Sequence, residues 1–555
     1  MTASIGTDMA KLARDLLAGL LAEPWGQMSP SVYETGRLIA LAPWLRGHAN
    51  RLAFLMATQR PDGGWGGPDG YLLVPSLSAV DGLLHALRRT SDPAAVAAVS
   101  AQPSGTELAA VHHIGGYPRL VAAVDRGLRV LFDLLRSGRR VQLPDTPGIE
   151  IIVPALVESV NGQLDQLAAH PLPGLDAWSG SARLGLPQDV CTATLAAIRA
   201  ALRTGARLPD KLLHALEIAG DAARRAPGVH PVPLGTVGAS PAATAAWLSD
   251  GTGDRTEPAL RYLDEVATRY GGPVPSVLPI TAFERSWVLT TLVRAGIPLA
   301  VPRELVDDLD RCLAENGTPG GPGLPPDADT TSVVLLALSQ QGVLRRPDCL
   351  WPYRDGTHFC AWVGERTPSP TVNAHVLETL VDCAGRGGSG TTTRLTTAIR
   401  DVTRWLRDVQ HPDGSWTDKW HSSPYYATAC CALAIDGLRH SAMASAVDRH
   451  PVRAAVDWVL ATQRVDGSWG RWAGTVEETA YALQVLLLTA APGDPTVGRA
   501  AARGYAYLRA TIDSPDESAL WHDKDLYRPE AVVRATALGA LHLAHRSPAV
   551  VALAT

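Results

Sequence analysis

A seven-residue pattern, Gln-x-x-Asp-Gly-x-Trp, occurs three times in this chain, and it restricts the fold more than any other feature. The copies lie at residues 59–65, 410–416 and 463–469, each between two segments with helical spacing. The Asp-Gly pair suits a tight turn, because glycine accepts positive φ. The tryptophan can pack across the two helices, and the glutamine amide can cap neighbouring backbone groups. Repeated helical hairpins of this kind predict stacked or toroidal helix pairs.

The rest of the chain also has a helical pattern. Residues 331–338 and 479–488 are apolar nearly all round, which is typical of helices that are buried on both sides. Connections rich in glycine and proline, such as residues 316–326, separate these segments, and alternating strand patterns are scarce. We therefore expect an all-α protein.

Length and composition exclude several classes of protein. A chain of 555 residues suggests two or more domains, and 46% hydrophobic against 19% charged residues is a globular composition. The net charge of −5 and the lack of a basic stripe predict no nucleic-acid partner. No run of about 18 apolar residues is present, so no transmembrane segment is expected. Seven scattered cysteines without C-x-x-C spacing favour reduced thiols in a cytoplasmic protein, and the oligomeric state stays open.

An acidic segment with two candidate roles lies at residues 326–331, directly before an apolar helix. It contains Asp327, Asp329 and Thr330. Aspartate and threonine favour the N-cap of a helix, where a carboxylate meets the positive end of the helix dipole. The two carboxyl groups also suit acid chemistry. Burial and a neighbouring carboxylate each raise a carboxyl pKa, so that one acid of the pair can keep its proton at neutral pH.

Together these motifs resemble those of the class II terpene cyclases. The repeat is similar to the QW motif of their α/α-barrel domains, and residues 327–330 resemble their DxDD motif with threonine in place of the last aspartate. Further segments resemble the family in the same order along the chain: residues 29–37, with Glu34 where an aspartate is usual, 283–288 and 521–529. The resemblance covers nearly the whole chain.

The resemblance implies two α/α barrels, called β and γ in the family, with the active site between them. In the family the γ barrel is inserted after the first helix of the β domain. The implied boundaries are a first β segment at residues 1–45, a γ domain at 46–274 and the main part of the β domain at 275–555. The QW repeats themselves are expected to be scaffold.

The resemblance also implies catalytic roles. Asp329 is the implied acid that protonates an alkene, and Asp327 is its supporting carboxylate. Asn373 occupies the place of an amide that hydrogen-bonds the donor aspartate in the family, with a helix cap as the structural alternative. Thr330 can still form a hydrogen bond but adds no negative charge, so Asp327 has to supply more of the electrostatic tuning.

A diphosphate substrate needs cations. Lys524 and Arg528 are the implied substrate-binding residues, because a guanidinium suits phosphate oxygens, and Arg37 and Lys419 are weaker candidates. A solvated surface charge is the alternative for each of them. Mg²⁺ is expected as a counter-ion of the diphosphate, but the sequence indicates no ligands for it.

A carbocation needs electron-rich walls, and this chain holds 15 Trp and 12 Tyr against 4 Phe. Rings in segments that match the family's β domain are candidates to line the cavity, with ordinary core packing as the alternative. These rings are Trp287, Trp351, Tyr425, Tyr426, Tyr481 and Trp521. The base that ends the reaction stays open between His375, His421, Tyr426 and a bound water.

The implied activity is the protonation-initiated cyclisation of a linear isoprenyl diphosphate to a bicyclic product. The second motif that class I terpene synthases need to ionise a diphosphate is absent, so the product should keep its diphosphate. The DxDTT variant resembles that of drimane-forming cyclases and favours farnesyl diphosphate as the substrate, giving drimenyl diphosphate. The alternative is geranylgeranyl diphosphate, giving a copalyl-type product.

Three other classes of protein are weaker alternatives. Triterpene cyclases share the barrels but are longer, carry more QW repeats and attach to membranes. Prenyltransferase β subunits share one barrel and use zinc, and Asp310 and Cys312 match only part of that site, without a histidine. A non-catalytic α-toroid that serves as a binding module predicts no turnover of any isoprenyl diphosphate.

Overall fold

A computed structural model shows that the described residues form two rings of helices. They are residues 2–91, 116–136, 141–180, 182–188, 190–248, 257–365, 367–386, 393–440, 448–491, 493–514 and 518–554. Within these ranges the strands form only two short hairpins, so the prediction of an all-α protein is confirmed.

The described helices, in chain order, are α1 (Thr2–Ala22), α2 (Val32–Leu41), α3 (His48–Ala57), α4 (Leu73–Ser91), α5 (Gly116–Leu134), α6 (Ile149–Ala169), α7 (Ala193–Arg203), α8 (Pro241–Leu248), α9 (Pro258–Arg269), α10 (Thr281–Arg294), α11 (Arg303–Cys312), α12 (Ala328–Gln340), α13 (Pro370–Arg386), α14 (Thr393–Asp408), α15 (Pro424–Gly437), α16 (His450–Ala461), α17 (Val476–Thr489), α18 (Pro495–Thr511), α19 (Glu530–His545) and α20 (Pro548–Ala554). The described strands are β1 (Arg354–Asp355), β2 (His358–Phe359), β3 (Trp521–His522) and β4 (Leu526–Tyr527). Strand β1 pairs with β2, and β3 pairs with β4, both antiparallel.

The β barrel is a closed ring in the described part of the chain. Its inner helices contact one another in the order α10, α12, α13, α15, α17, α19 and back to α10. Outer helices cover this ring, and α1 joins them by packing on α19. The inner helices are apolar nearly all round because they are buried on both sides. In α12, for example, every residue from Thr330 to Ser339 is buried.

The γ barrel is a smaller ring. Helices α2, α4, α6 and α8 close it together with a 3₁₀ segment at Asp210–Ala223. The predicted boundary at residue 45 is therefore wrong, because α2 packs on α4 and α8 as part of the γ ring. The first β segment ends in the extended stretch between α1 and α2. Helix α9 packs on α8 in the γ barrel, and α10 starts the main β part, so the second junction lies near residue 275.

The three QW motifs form the same structure in each copy, as a scaffold role requires. The glutamine Nε2 donates to the carbonyl of the turn glycine and to a carbonyl of a neighbouring helix, for example from Gln410 to Gly414 at 2.8 Å and to Pro451 at 2.9 Å. The indole of Trp416 is fully buried and donates to the Leu406 carbonyl at 2.8 Å. The same bonds recur at 59–65 and 463–469.

Glycine is required in the QW turn for two reasons. Gly414 has a φ of 96°, in the left-handed region that other residues rarely adopt. A Cβ at Gly414 would also lie 2.3 Å from the carbonyl oxygen of Ala454, the fifth residue of α16. The turn therefore lies closer to α16 than any side chain at this position would permit.

The hairpin β3–β4 joins the two barrels through three consecutive charged residues in its turn. Asp523 Oδ1 lies 2.9 Å from His214 Nε2, and Asp525 accepts hydrogen bonds from the γ segment that begins α2. Between them Lys524 is fully buried, with its Nζ 2.7 Å from Glu34 Oε2 and 3.0 Å from Glu217 Oε1. Burial alone would lower the pKa of the Lys524 ammonium, but Glu217 and Glu34 outweigh it and raise that pKa above its usual value.

One segment, Asp69–Thr90, is long and apolar enough to span a membrane by length and composition alone. It includes nearly all of α4, a helix of the γ ring, and 83% of its most apolar window is buried inside the protein. A helix that packs its apolar surface against protein on this scale is a core helix.

We expect Lys524→Met to lower the free energy of unfolding by about 3–5 kcal/mol, because two buried carboxyl groups would lose their cation. The loss should be larger at pH 8 than at pH 5. Burial raises the pKa of Glu34 from 4.5 to about 7, so this carboxyl is protonated at pH 5 and charged at pH 8. Denaturant unfolding at both pH values measures the effect. Lys211→Met, at an exposed lysine, is the matched control. If Lys524→Met were as stable as the wild type, Lys524 would not stabilise the contact between the barrels.

Candidate active site

The acidic segment forms the start of α12. The two roles considered for it, capping the helix and supplying an acid, are compatible in this structure. Asp327 is the N-cap, and its Oδ1 accepts a hydrogen bond from the Thr330 amide at 2.6 Å. Asp329 lies in the first turn, and its side chain is 18% exposed. Asp327, Asp329 and Thr330 all line one cavity. The cap thus holds both carboxyl groups at the cavity wall.

Asp329 forms a close pair with His375, a buried residue of α13. His375 Nδ1 lies 2.7 Å from Asp329 Oδ1. Burial would lower the pKa of His375, but the Asp329 carboxylate outweighs it and raises that pKa well above 6.5. The imidazole therefore keeps a proton that it shares with Asp329 across this hydrogen bond.

Asp327 also retains a proton near neutrality. Burial, and then the neighbouring Asp329, raise the pKa of Asp327 from 3.8 to about 7. The Asp327 carboxyl and the His375 imidazole thus both have raised pKa values. Protons are therefore available near neutral pH beside the cavity, which is what an acid catalyst needs.

Asn373 does not make the predicted bond to Asp329. It is fully buried, its Oδ1 accepts from the Phe359 amide at 2.8 Å, and its Nδ2 donates to the carbonyls of Phe359 and Ser369, both at 2.9 Å. The amide is satisfied by this backbone, so Asn373 anchors the hairpin β1–β2 beside the acid. His375, two residues later, is the actual partner of Asp329. A lone histidine in an apolar helix was the signal for it, and sequence reasoning considered it only as a terminal base.

The cavity lies between the two barrels, where the resemblance implies it. It offers about 190 Å³ to the centres of water molecules. The γ barrel and its connections contribute Pro147, Lys211 and His214 to the wall, and the β barrel contributes the acids and most of the rings. Those rings are Phe283, Trp287, Trp362, Trp420, Trp521 and Tyr527. An aromatic wall of this kind excludes water and attracts cations.

Two of the predicted rings, Trp287 and Trp521, line the cavity on either side of Phe283. The centroid of Phe283 lies 4.7 Å from that of Trp287 and 5.4 Å from that of Trp521. Trp521 Nε1 donates to Glu477 at 2.8 Å, which holds the indole plane in place. Phe283, Trp362, Trp420 and Tyr527 were not among the predicted rings, because only their packing reveals which way they face.

The other predicted rings lie elsewhere. Tyr426 and Tyr481 line a second cavity behind Trp287. Tyr425 packs on Trp458 of α16 with centroids 4.6 Å apart, and Trp351 lies under the guanidinium of Arg394 at 4.3 Å. Tyr425 and Trp351 thus have packing roles, and the prediction that they line the substrate cavity is not supported.

The predicted diphosphate-binding cations are engaged by carboxylates. Lys524 is buried between the barrels, where it pairs with Glu34 and Glu217. Arg528 Nε lies 3.2 Å from Glu530. Arg37 pairs with Asp81 in a separate cavity of the γ barrel, and Lys419 pairs with Glu365. These four residues do not line the cavity at the acids.

Lys211 replaces those four as the cationic candidate. Among the described residues that line the cavity, it is the one lysine or arginine, and its side chain is exposed at the start of the 3₁₀ segment. Sequence reasoning missed it because no motif surrounds Lys211. Its place at the cavity depends on how the γ barrel docks.

The three candidates for the terminating base do not line the substrate cavity. His375 is paired with Asp329 and faces the second cavity. His421 stacks on Tyr426 at 4.8 Å, with its Nε2 3.3 Å from Glu477. The structure therefore assigns none of the three as the base.

The described residues show no oxygen-rich metal cage. One group that is close enough to hold an ion, Asp355, His358 and Cys360, lies on the hairpin β1–β2 and offers nitrogen and sulfur, which do not suit Mg²⁺. Asp310 and Cys312, which match part of a zinc motif, do not form a zinc site, because Asp310 pairs with Arg345 at 2.7 Å.

Comparisons with known proteins agree with this geometry. Residues 365–526 match the squalene-hopene cyclase C-terminal domain. The chain is 44% identical over 537 residues to an ent-copalyl diphosphate synthase of a Streptomyces species, covering 96% of each chain. It is 42% identical over 556 residues to the labda-7,13-dienyl diphosphate synthase of Streptomyces clavuligerus, covering 97% of this chain and 93% of the relative. The solved ent-copalyl diphosphate synthase of Streptomyces platensis matches with a TM-score of 0.85 and 44% identity, covering 97% of this chain and 99% of that one.

Identity at this level extends from one end of the chain to the other, so it includes both barrels and the cavity between them. The QW turns and the acids at the start of α12 lie where the resemblance implied them. The chain belongs to the class II terpene cyclases.

Proposed function

We propose that this enzyme cyclises geranylgeranyl diphosphate to a bicyclic, copalyl-type diphosphate. The observation that carries the proposal is the Asp329–His375 pair, with Asp327 beside it, in the wall of an aromatic cavity. The names of the relatives favour this substrate, because copalyl and labdadienyl skeletons have twenty carbons. The farnesyl expectation rests on Thr330 alone, and the relatives give it no support.

The proposed reaction starts with proton transfer. Asp329 passes to the terminal alkene the proton that it shares with His375, and the π electrons of the alkene form the new C–H bond and leave a cation on the adjacent carbon. The next two alkenes attack in turn, and each attack closes a ring. A base then removes a proton from the final cation, so that the product keeps its diphosphate and gains no atoms. His375 stabilises the carboxylate that remains on Asp329.

The aromatic wall stabilises the cations between these steps. A desolvated cation over an indole face gains about 2 kcal/mol or more. Trp287 and Trp521 flank Phe283 in the cavity that also contains the acids.

The diphosphate is proposed to bind at Lys211, with Mg²⁺ as its counter-ion. Asp523 lines the same cavity, and His214 outweighs burial to lower the pKa of Asp523 to about 2, so its carboxylate is ionised. Mg²⁺ is commonly held by one or two carboxylates together with substrate phosphates. Asp523 fits that donor set, and the ion would neutralise the diphosphate charge there.

Incubation of the purified protein with geranylgeranyl and farnesyl diphosphates, with and without Mg²⁺, tests the proposal. We expect the dephosphorylated extract to contain a copalol-type bicyclic alcohol, with a higher kcat/KM for geranylgeranyl diphosphate. The reason is that the relatives cyclise to twenty-carbon skeletons. A higher kcat/KM for farnesyl diphosphate, giving drimenol, would restore the sequence expectation. No turnover of either substrate would support the non-catalytic toroid.

Asp329→Asn should lower kcat by about 10³-fold, because the amide has no acidic proton to give. The melting temperature should change little, since the Asn can still accept a hydrogen bond from His375. Asp382→Asn is the matched control, as it removes a carboxylate of α13 that is bonded to Arg386 outside the cavity. Turnover of Asp329→Asn near the wild-type rate would show that another group is the acid.

Lys211→Ala should raise KM about tenfold with a smaller change in kcat, because a charge-assisted bond to phosphate is lost. Steady-state kinetics at fixed Mg²⁺ measures both constants. Arg528→Ala serves as the comparison, because Arg528 pairs with Glu530 and does not line the cavity. An increase in KM for Arg528→Ala, but not for Lys211→Ala, would show that Arg528 binds the diphosphate, as the sequence indicated.

A further inference from the structure

A carbocation reacts with any water that reaches it. A cyclase that releases an alkene must therefore keep water from the bicyclic cation until a base removes a proton. The described wall of the substrate cavity is mostly apolar and includes six aromatic rings. The residue that separates this cavity from nearby water thus decides whether the product is an alkene or an alcohol.

A second cavity lies behind this wall in the lumen of the β barrel, and polar atoms make up a larger share of its lining than they do in the substrate cavity. It offers about 30 Å³ to the centres of water molecules, which is enough for at least one water. Its lining includes Thr290, Arg294, Glu378, Gln484 and Thr536, all of them polar or charged. A cavity with this lining is a site for water, whereas an apolar one of the same size would stay dry.

Gln484 gives the strongest indication of that water. Its side chain is 4% exposed, and no described group lies within hydrogen-bonding distance of its Nε2. A buried amide donor without a partner costs about 1–3 kcal/mol unless water satisfies it. Glu378 and Arg294, which pair at 2.8 Å and are 16% and 27% exposed, connect the same cavity to the surface.

Trp287 is the partition between the two cavities, because its indole lines both. One side of the ring contacts Phe283, with centroids 4.7 Å apart, and another meets His375 edge-on at 5.2 Å. Its Nε1 donates to the Tyr426 hydroxyl at 3.2 Å, which ties the indole to α15. The ring is therefore held between the two cavities beside the acid pair.

We propose that Trp287 determines the outcome of the reaction by closing the substrate cavity against the water at Gln484, with Tyr426 as its positioning residue. This inference rests on the proposed cyclisation. When the partition is removed, a lone pair of the water attacks the bicyclic cation and forms a C–O bond. The oxygen then loses a proton to a second water or to Glu378. The product is a hydroxylated bicyclic diphosphate with one water added.

The experiment compares product ratios in H₂¹⁸O, using the isoprenyl diphosphate that the wild type turns over fastest. Trp287→Ala should raise the labelled, hydroxylated fraction about tenfold, equivalent to a capture barrier lower by about 1.4 kcal/mol. Trp287→Phe should stay closer to wild type, because a ring still lies between the two cavities. Trp287→Ala combined with Gln484→Leu should fall back towards the wild-type ratio, since the water loses its donor.

Two further variants distinguish a water partition from general loosening. Trp458→Ala removes an indole that packs on Tyr425 and lines neither cavity, so it should leave the ratio unchanged. Tyr426→Phe keeps the volume but frees the Trp287 indole, and it should raise the fraction by a smaller factor. This variant tests the idea even if Trp287→Ala does not fold.

The possible failures are separable. A wild-type enzyme that cyclises its substrate, with an unchanged hydroxylated fraction in both Trp287→Ala and Tyr426→Phe, would overturn the partition and leave the proposed function intact. An equal rise in Trp458→Ala would do the same. A wild-type enzyme that forms no bicyclic product would overturn the proposed function and, with it, this inference.

Discussion

The hydrogen bond between Asp329 and His375 is the interaction on which the chemistry of this protein depends. An aspartate in water is a weak base at neutral pH and has no proton to give. Here α12 places the carboxyl beside an imidazole whose pKa it raises well above the usual value, while burial and Asp329 together bring the pKa of Asp327 to about 7. The protons are therefore present beside Asp329 before any alkene arrives.

A second constraint is the charged joint between the barrels. The hairpin β3–β4 supplies Trp521 and Tyr527 to the cavity, and its turn holds Lys524 between two glutamates of the γ ring. An ion pair this deep is costly to desolvate, and it is stable only with full geometric complementarity. These ion pairs of Lys524 thus fix the orientation of the two barrels relative to each other. As a result, Lys211 of the γ barrel has one position relative to the acids of the β barrel.

The substrate cavity and the second cavity behind it have opposite requirements, and Trp287 lies between them. The substrate cavity must be dry, whereas the lumen behind it holds buried polar groups that need water. Trp287 satisfies both, because an indole has broad apolar faces for the substrate side and one N–H, which Tyr426 accepts. Phenylalanine has the faces but lacks the hydrogen bond that fixes the orientation of the ring.

The sequence by itself determined the local structures. The QW turns, the helices buried on both sides and the capping aspartate at the start of α12 follow from spacing and residue type, since their bonds lie within a few residues or one neighbouring helix. The assignments that changed involve partners that lie far apart in the chain: Lys524 is bound by Glu34 and Glu217, and Asn373 by Phe359, while His375 takes the place at Asp329. The assignment of α2 to the γ ring likewise depends on its packing against α4 and α8, the second of which lies about 200 residues away in the chain. Only the tertiary structure decides which charge is neutralised and which ring faces the cavity. Both depend on how the two barrels dock, and the residues next to them in the sequence carry no information about that docking.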